Sequence, residues 1–306
     1  METVSIDDFA FNHLEGKTAI ITGGSNGIGA QTVRIFSSHG ANVVIADLES
    51  TIAEADALIA SLKYPEKALF IPTNTLSWED MKLLFRQTIE RFLRIDVVVA
   101  NAGIMESSSL FDLEAVNDMG ELPESTDGFR VLDVNLKALR LAMFHMQRNE
   151  PRSADGSRGS VVLITSTSGY FGSTGVGGYV TSKHGLIGLL RSSQLAAKRI
   201  NVRVNAVAPF VTPTATFRKV AEIWATSGLK ANTIEDVGAV IAQTSLTPGS
   251  GRCILVAGGI MHEMEEARTK LIPLWLGEEI AEYLQAAGRL FAEEGYPLPA
   301  ATHGSL

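Results

Sequence analysis

The sequence predicts an α/β fold: a doubly wound parallel sheet of seven strands, helices on both faces, and a C-terminal helical tail. Three observations predict it. Short runs rich in Val, Ile and Ala alternate with longer segments of helical spacing through most of the 306 residues. Those apolar runs are continuous, as strands buried on both faces are. A cluster of glycines lies between the first apolar run and the first helical segment, the usual seat of a ligand at the carboxyl end of such a sheet.

The first strand is TAIIT (18–22). TGGSNGIGA (22–30) follows it and places glycines at 23, 27 and 29 before the helical segment QTVRIFSSHG. Gly23 permits a tight turn, and bare backbone at Gly27 or Gly29 lets a phosphate or the sheet come close to the helix N-terminus. That terminus offers free N–H groups and a partial positive charge to a pyrophosphate. The spacing is G-x-x-x-G-x-G; neither G-x-G-x-x-G nor the nucleotide-triphosphate loop G-x-x-x-x-G-K-[ST] is present. The second strand, NVVIA (42–46), runs into Asp47, twenty residues after Gly27. A carboxylate there can bond the ribose hydroxyls of an adenosine; the competing reading is an exposed helix N-cap. A ribose phosphate beside Asp47 and Glu49 would be repelled, and no Arg or Lys occurs at 24–26 or 47–51, so NAD is expected rather than NADP.

The helical segment AEADALIASL precedes the strand ALFIP (68–72), and EDMKLLFRQTIERF precedes DVVVAN (96–101). Residues 104–130 are long, acidic and irregular. Then come a helix in VLDVNLKALRLAMFHMQRN, a loop in RSADGSRGS (152–160) and a strand in SVVLIT (160–165). A helix in VTSKHGLIGLLRSSQLAAKRI leads to VRVNAVA (202–208), and ILVAGG (254–259) is the seventh strand. Residues 260–306 are rich in helix formers and contain Pro273, which predicts two helices broken at the proline. With no internal repeat and no linker, one domain is expected over 1–306, its core over 15–260 and an extension over 261–306.

Composition excludes several function classes. The net charge is −8 with no block of Lys or Arg, against the clustered cationic surface that nucleic-acid binding needs. Cys253 is the only cysteine, so no intramolecular disulfide forms, and it reads as a small buried hydrophobe. The acidic N-terminus lacks a secretory pattern and no apolar run is long enough to span a bilayer, so a soluble, cytoplasmic protein is expected. The histidines at 13, 39, 145, 184, 262 and 303 show no metal-ligand spacing, and no metal is expected.

The chemistry lies in STSGYFGSTGVGGYVTSKHG (166–185). Tyr179 and Lys183 are four apart and share a helix face. A phenol titrates near ~10 in water, and a nearby ammonium favours its ionised form. On that ground Lys183 is expected to lower the pKa of Tyr179, which could then exchange a proton with an alcohol or carbonyl oxygen. Ser166, at the end of the preceding strand, could bond that oxygen and stabilise its developing charge; Ser168 is its rival.

These residues together resemble the short-chain dehydrogenase/reductase family in its Tyr-x-x-x-Lys form, with a Rossmann sheet. The resemblance covers roughly residues 15–260 and rests on TGGSNGIG (22–29), ANAG (100–103), VNL (134–136), STSG (166–169), YVTSK (179–183) and NAVAP (205–209). It implies Tyr179 as general acid/base, Lys183 lowering its pKa and bonding the nicotinamide ribose, Ser166 polarising the substrate oxygen, and Asn135 holding a relay water. It implies a cofactor cradle of Gly23, Ser25, Asn26, Gly27, Ile28 and Gly29, then Asp47 and Leu48, Asn74 and Thr75, and Asn101, Ala102 and Gly103. Pro209, Val211, Thr212 and Thr214 complete it, with the choice between the two threonines for the carboxamide left open. It further implies a homodimer or homotetramer.

The chain departs from the family pattern at Asn74 (often Asp), Ala100 (often Asn) and Phe210 (usually Gly). The segment 210–233 is expected to cover a hydrophobic substrate, with Ser168, Phe171, Phe210, Phe217 and Trp224 as contacts. The pattern is nearer to NAD-dependent 15-hydroxyprostaglandin dehydrogenases and fungal secondary-metabolite dehydrogenases than to sugar-converting members. The expected activity is NAD-dependent interconversion of a hydrophobic secondary alcohol and its ketone. A non-redox isomerase or dehydratase on the same fold, and a dinucleotide-sensing protein, are the alternatives.

Overall fold

The computed structural model describes residues 4–107, 125–136, 138–153, 155–172, 175–214 and 218–297. The chain divides into two compact units, Met1–Met264 and Glu265–Leu306.

The strands of the first unit are β1 (Thr18–Thr22), β2 (Asn42–Asp47), β3 (Ala68–Pro72), β4 (Val97–Ala100), β5 (Gly159–Ile164), β6 (Val202–Pro209), β7 (Cys253–Ala257) and β8 (Ile260–Glu263). They form one sheet of order β3-β2-β1-β4-β5-β6-β7-β8. The helices are α1 (Gly27–Ser38), α2 (Ile52–Ser61), α3 (Trp78–Phe92), α4 (Thr126–Leu136), α5 (Ala138–Met146), α6 (Ser168–Phe171), α7 (Gly177–Ser192), α8 (Gln194–Arg199), α9 (Arg218–Thr226) and α10 (Ile234–Leu246).

The strand residues divide between two cores by their period of two. Ala19, Ile21, Val43 and Ile45 face a core built with Val33 and Phe36 of α1 and Val240 and Ile241 of α10. Ile20 and Val44 face the other, with Leu84 and Phe85 of α3 and Leu186 and Leu190 of α7. Phe36 and Phe85 are fully buried, and a phenylalanine so placed is worth about 3–5 kcal/mol over alanine. Both faces are thus covered, as the continuous apolar strands predict.

The sheet has eight strands rather than seven. β7 and β8 pair antiparallel, Ile254 opposite Glu263 and Ala257 opposite Ile260. Gly258 and Gly259, at φ 59° and 81°, form the two-residue turn between them; both positions need the left-handed region, which glycine adopts without cost. One further segment is divided more finely than expected: the helix read through residues 180–200 is α7 followed by α8, while the one read through 131–149 falls on α4 and α5, with residue 137 between them outside the described residues.

The second unit consists of α11 (Met264–Leu276) and α12 (Glu278–Leu290). Two helices were expected, but the break is not at the proline. Pro273 lies inside α11, and the helix stops at Gly277, whose φ is 85°. A left-handed residue ends a helix.

The strand order reverses direction between β1 and β4. A crevice opens there at the carboxyl ends of the strands.

Candidate active site

The turn after β1 is built on missing side chains. Gly23 has φ 63° and donates its N–H to Ala46 O at 2.8 Å. A Cβ on Gly29 would lie 2.0 Å from Gly23 O, so α1 rests directly on the turn. Asn26, the N-cap of α1, makes no side-chain capping bond to the helix's first amides. At the end of β2, the Asp47 carboxylate accepts from Ser25 N–H at 3.0 Å and from Leu48 N–H at 2.9 Å, holding the turn against the strand. Thr51 Oγ1 donates to Ser25 Oγ at 3.0 Å.

Asn101 closes the crevice between β1 and β4. Its Nδ2 donates to Thr22 O at 2.9 Å and to Gly23 O at 3.1 Å, while the Asn101 and Ala102 N–H groups both donate to Thr22 Oγ1 at 3.0 Å. These bonds fix the floor of the site.

Ser166, Tyr179 and Lys183 come together at the carboxyl end of β5. Ser166 is buried, and its hydroxyl bonds that of Tyr179. Ser168, first residue of α6, lines the same cavity, but its N–H donates to Ser166 Oγ at 3.2 Å. Lys183 is buried, its Nζ 5.4 Å from the Tyr179 ring centroid and donating to Ile164 O at 2.9 Å. Thr165 Oγ1 donates to Lys183 O at 3.0 Å, a second tie between β5 and α7.

The electrostatics correct the sequence expectation. Burial pushes the Tyr179 phenol above its ordinary value, while the Ser166 hydrogen bond pulls it down. Burial also lowers Lys183 to about 8. Desolvation disfavours whichever form is charged, the phenolate and the ammonium alike. In this enclosed site it is the largest influence on both groups.

A cavity of about 380 Å³ joins the two halves. Ile28, Asn101 and Gly103 line it from the glycine-turn side, Ser166, Ser168, Tyr179 and Lys183 from the other, and Pro209, Phe210, Val211, Thr212 and Thr214 from the segment after β6. Ile104, Met105, Val176 and Val220 make the remaining wall mostly apolar. A larger cavity, about 790 Å³, lies at the amino ends of the strands among Lys17, Asp96, Asp155 and Arg203. There Asp96 pairs with Arg94 and Asp155 with Arg203, and none of the expected site residues lines it.

With this geometry in place, the comparisons are informative. The family model for short chain dehydrogenases matches residues 17–223. The chain belongs to the short-chain dehydrogenase family. Its family consists of oxidoreductases that bind a nicotinamide dinucleotide. One relative is the Penicillium rubens short-chain dehydrogenase/reductase prx4, 30% identical over 301 residues, 90% of this chain and 85% of that protein. Another, Arabidopsis thaliana short-chain dehydrogenase reductase 4, is 37% identical over 198 residues; that match spans 64% of this chain and 61% of the relative. The crystal structure of 3-hydroxyacyl-CoA dehydrogenase type-2 from Mycobacterium avium superposes with a TM-score of 0.68 at 25% identity, covering 79% of this chain and 95% of that one.

Several expected residues of this family member lie outside the cavity wall. Asp47 and Leu48 sit at the end of β2, and Asn74 and Thr75 follow β3. Asn74 Oδ1 accepts from Leu76 N–H at 3.0 Å, shaping the turn into α3. Thr212 is buried, donating its hydroxyl to Phe210 O at 3.0 Å and accepting from Asn232 Nδ2 at 3.3 Å. Thr214 instead places its methyl 3.2 Å from where a Gly27 Cβ would be. Phe210 is 42% exposed and meets Trp224 of α9 edge-on, centroids 5.1 Å apart. Phe171, 73% exposed, is not part of the wall. Asn135 falls on α4 with its side chain outside the described residues, and Phe217 lies outside them altogether.

Sequence reasoning missed Glu106. Its carboxylate accepts from the N–H groups of Gly178 and Tyr179, both at 2.9 Å. The available signal was negative: Val176, just ahead of α7, cannot cap a helix. Among the described residues, no cluster is placed to hold a metal ion, and no helix is long and apolar enough to cross a membrane.

Proposed function

We propose that this chain is an NAD-dependent dehydrogenase that interconverts a hydrophobic secondary alcohol and its ketone. The observation that carries the reading is the meeting of Ser166, Tyr179 and Lys183 in one cavity with the backbone beside the glycine turn. The residues present fit a dinucleotide. The first amides of α1 receive nothing from the side chain of Asn26, Gly27 carries no side chain at the helix start, and Gly29 lets α1 rest close on the turn. When bound, nicotinamide exchanges a hydride with the substrate carbon.

The chain's own residues handle the proton and the charge. Ser166 donates a hydrogen bond to the substrate oxygen and Tyr179 exchanges the proton with it. Lys183, held at Ile164 O, keeps a cation beside the phenol at neutral pH, because its pKa of about 8 leaves it mostly protonated. Thr214, beside Gly27, is the better placed threonine for the carboxamide, since the hydroxyl of Thr212 is engaged.

Asp47 favours NAD. Its carboxylate stands at the end of β2 and repels a ribose phosphate. The apolar wall of Ile104, Met105, Val176, Val220 and Phe210 selects a lipophilic substrate with few polar anchors.

The test is turnover of ring-bearing secondary alcohols with NAD, read at the absorbance of reduced nicotinamide. Tyr179→Phe is expected to lower kcat about a thousandfold. Wild-type turnover by the phenylalanine variant overturns the assignment, and product without net absorbance change favours a non-redox reaction.

A further inference from the structure

The helix that carries the proposed acid/base is capped from a distant part of the chain. Val176, its N-cap, has no side-chain acceptor. The connection before it is rich in glycine: Gly172 and Gly175 have φ 75° and 84°, and nothing lies within 4 Å of where their Cβ atoms would be. The N-cap position itself therefore gives the leading amides no side-chain acceptor. Glu106 supplies one. Its Oε1 accepts from Gly178 N–H and its Oε2 from Tyr179 N–H, each at 2.9 Å. These are the second and third amides of the helix, the pair an N-cap side chain ordinarily serves. The carboxylate also meets the positive end of the helix dipole.

The segment bearing Glu106 is itself held at both ends. Asn101 is bonded to Thr22 and Gly23. Ser107 donates its N–H and its hydroxyl to Asp127 Oδ2, at 2.6 and 2.9 Å, in the first turn of α4. Between these points Ile104 and Met105 line the cavity. One carboxylate therefore joins the substrate wall to the backbone of Tyr179.

We propose that Glu106 is a positioning residue: it sets the first turn of α7, and with it the placement of the Tyr179 hydroxyl against Ser166 and Lys183. The proposal rests on the oxidoreductase reading above. Lys183 is tied separately to Ile164 O, so without Glu106 the phenol moves while the cation stays in place. Turnover falls and substrate affinity holds.

The experiment uses the full chain as wild type, Glu106→Ala and Glu106→Gln. Amide hydrogen exchange is measured at Gly178 and Tyr179, and steady-state kinetics with NAD and 1-phenylethanol, or whichever ring-bearing secondary alcohol the wild type oxidises fastest. In Glu106→Ala, exchange at both amides is expected to rise at least ~tenfold, and kcat to fall on the order of tenfold with KM within about twofold. Glutamine keeps one acceptor oxygen, so Glu106→Gln is expected to protect one amide and recover part of the rate. A folded Glu106→Ala protein with wild-type kcat, or one altered only in KM, overturns the proposal. Should the alanine variant not fold, wild-type exchange and kcat in Glu106→Gln overturn it equally. A wild type that reduces no NAD across the alcohols sinks the oxidoreductase reading instead, and exchange at the two amides still decides whether Glu106 is the cap.

Discussion

Two helices, α1 and α7, begin at the carboxyl rim of the same sheet, each after a glycine-rich connection. Their first turns are treated in opposite ways. At α1, Asn26 gives no side chain to the leading amides. At α7, the carboxylate of Glu106 takes two of them. Every helix start has unsatisfied N–H groups and a partial positive charge. An open start suits an anion arriving from solution; a filled start keeps its own residues still. In the proposed function, α1 seats the pyrophosphate and α7 steadies Tyr179. Identical backbone chemistry thus serves binding at one place and positioning at the other.

The largest effect is expected at α1. Gly29→Ala puts a methyl 2.0 Å from Gly23 O. Overpacking of this kind costs about 1–3 kcal/mol and forces helix and turn apart. A lower melting midpoint and at least ~hundredfold weaker NADH binding by calorimetry are expected; wild-type binding would show that α1 is not the anion seat. Asp47→Asn sharpens the same side. It removes the charge at the end of β2, and under the proposed function the NAD over NADP ratio in kcat/KM is expected to drop by about tenfold. An unchanged ratio places the discrimination elsewhere.

The smallest effect lies on the α7 side and concerns pH. The Ser166 hydroxyl lowers the phenol's pKa, so Ser166→Ala raises it further. Alcohol oxidation needs the ionised phenol. The kcat profile for oxidation is therefore expected to move to higher pH, measured with NAD in excess. Movement to lower pH contradicts the assigned roles of Ser166 and Tyr179.

Most of the sheet was legible because its strands are buried on both faces. TAIIT, NVVIA and SVVLIT read as strands without any tertiary information, since full burial leaves no polar alternation to misread. The meeting of Tyr179, Lys183 and Ser166 was also legible, because it follows from one helical turn and one strand end. β8 was missed because a four-residue antiparallel edge carries little periodicity; the Gly258–Gly259 pair was the readable sign. The break in the tail was placed at Pro273 because proline is a stronger local signal than a glycine, yet the left-handed Gly277 ends α11. Glu106 was hidden by distance, since it contacts amides 72 and 73 residues away. The direction of the Tyr179 shift was hidden for another reason. Spacing reveals which charges are neighbours, but not how far both are withdrawn from water.

The bond from Lys183 Nζ to Ile164 O has a consequence of its own. A lysine is a long, loose arm, yet here its tip is anchored to the last residue of a central strand. The cation's address is therefore written in the sheet, the least changeable layer of the molecule. Phe210, which meets Trp224 edge-on, lines the same cavity but belongs to the segment after β6 and not to β5. Under the proposed function, that segment can be reshaped for another substrate without touching the strand that fixes the cation.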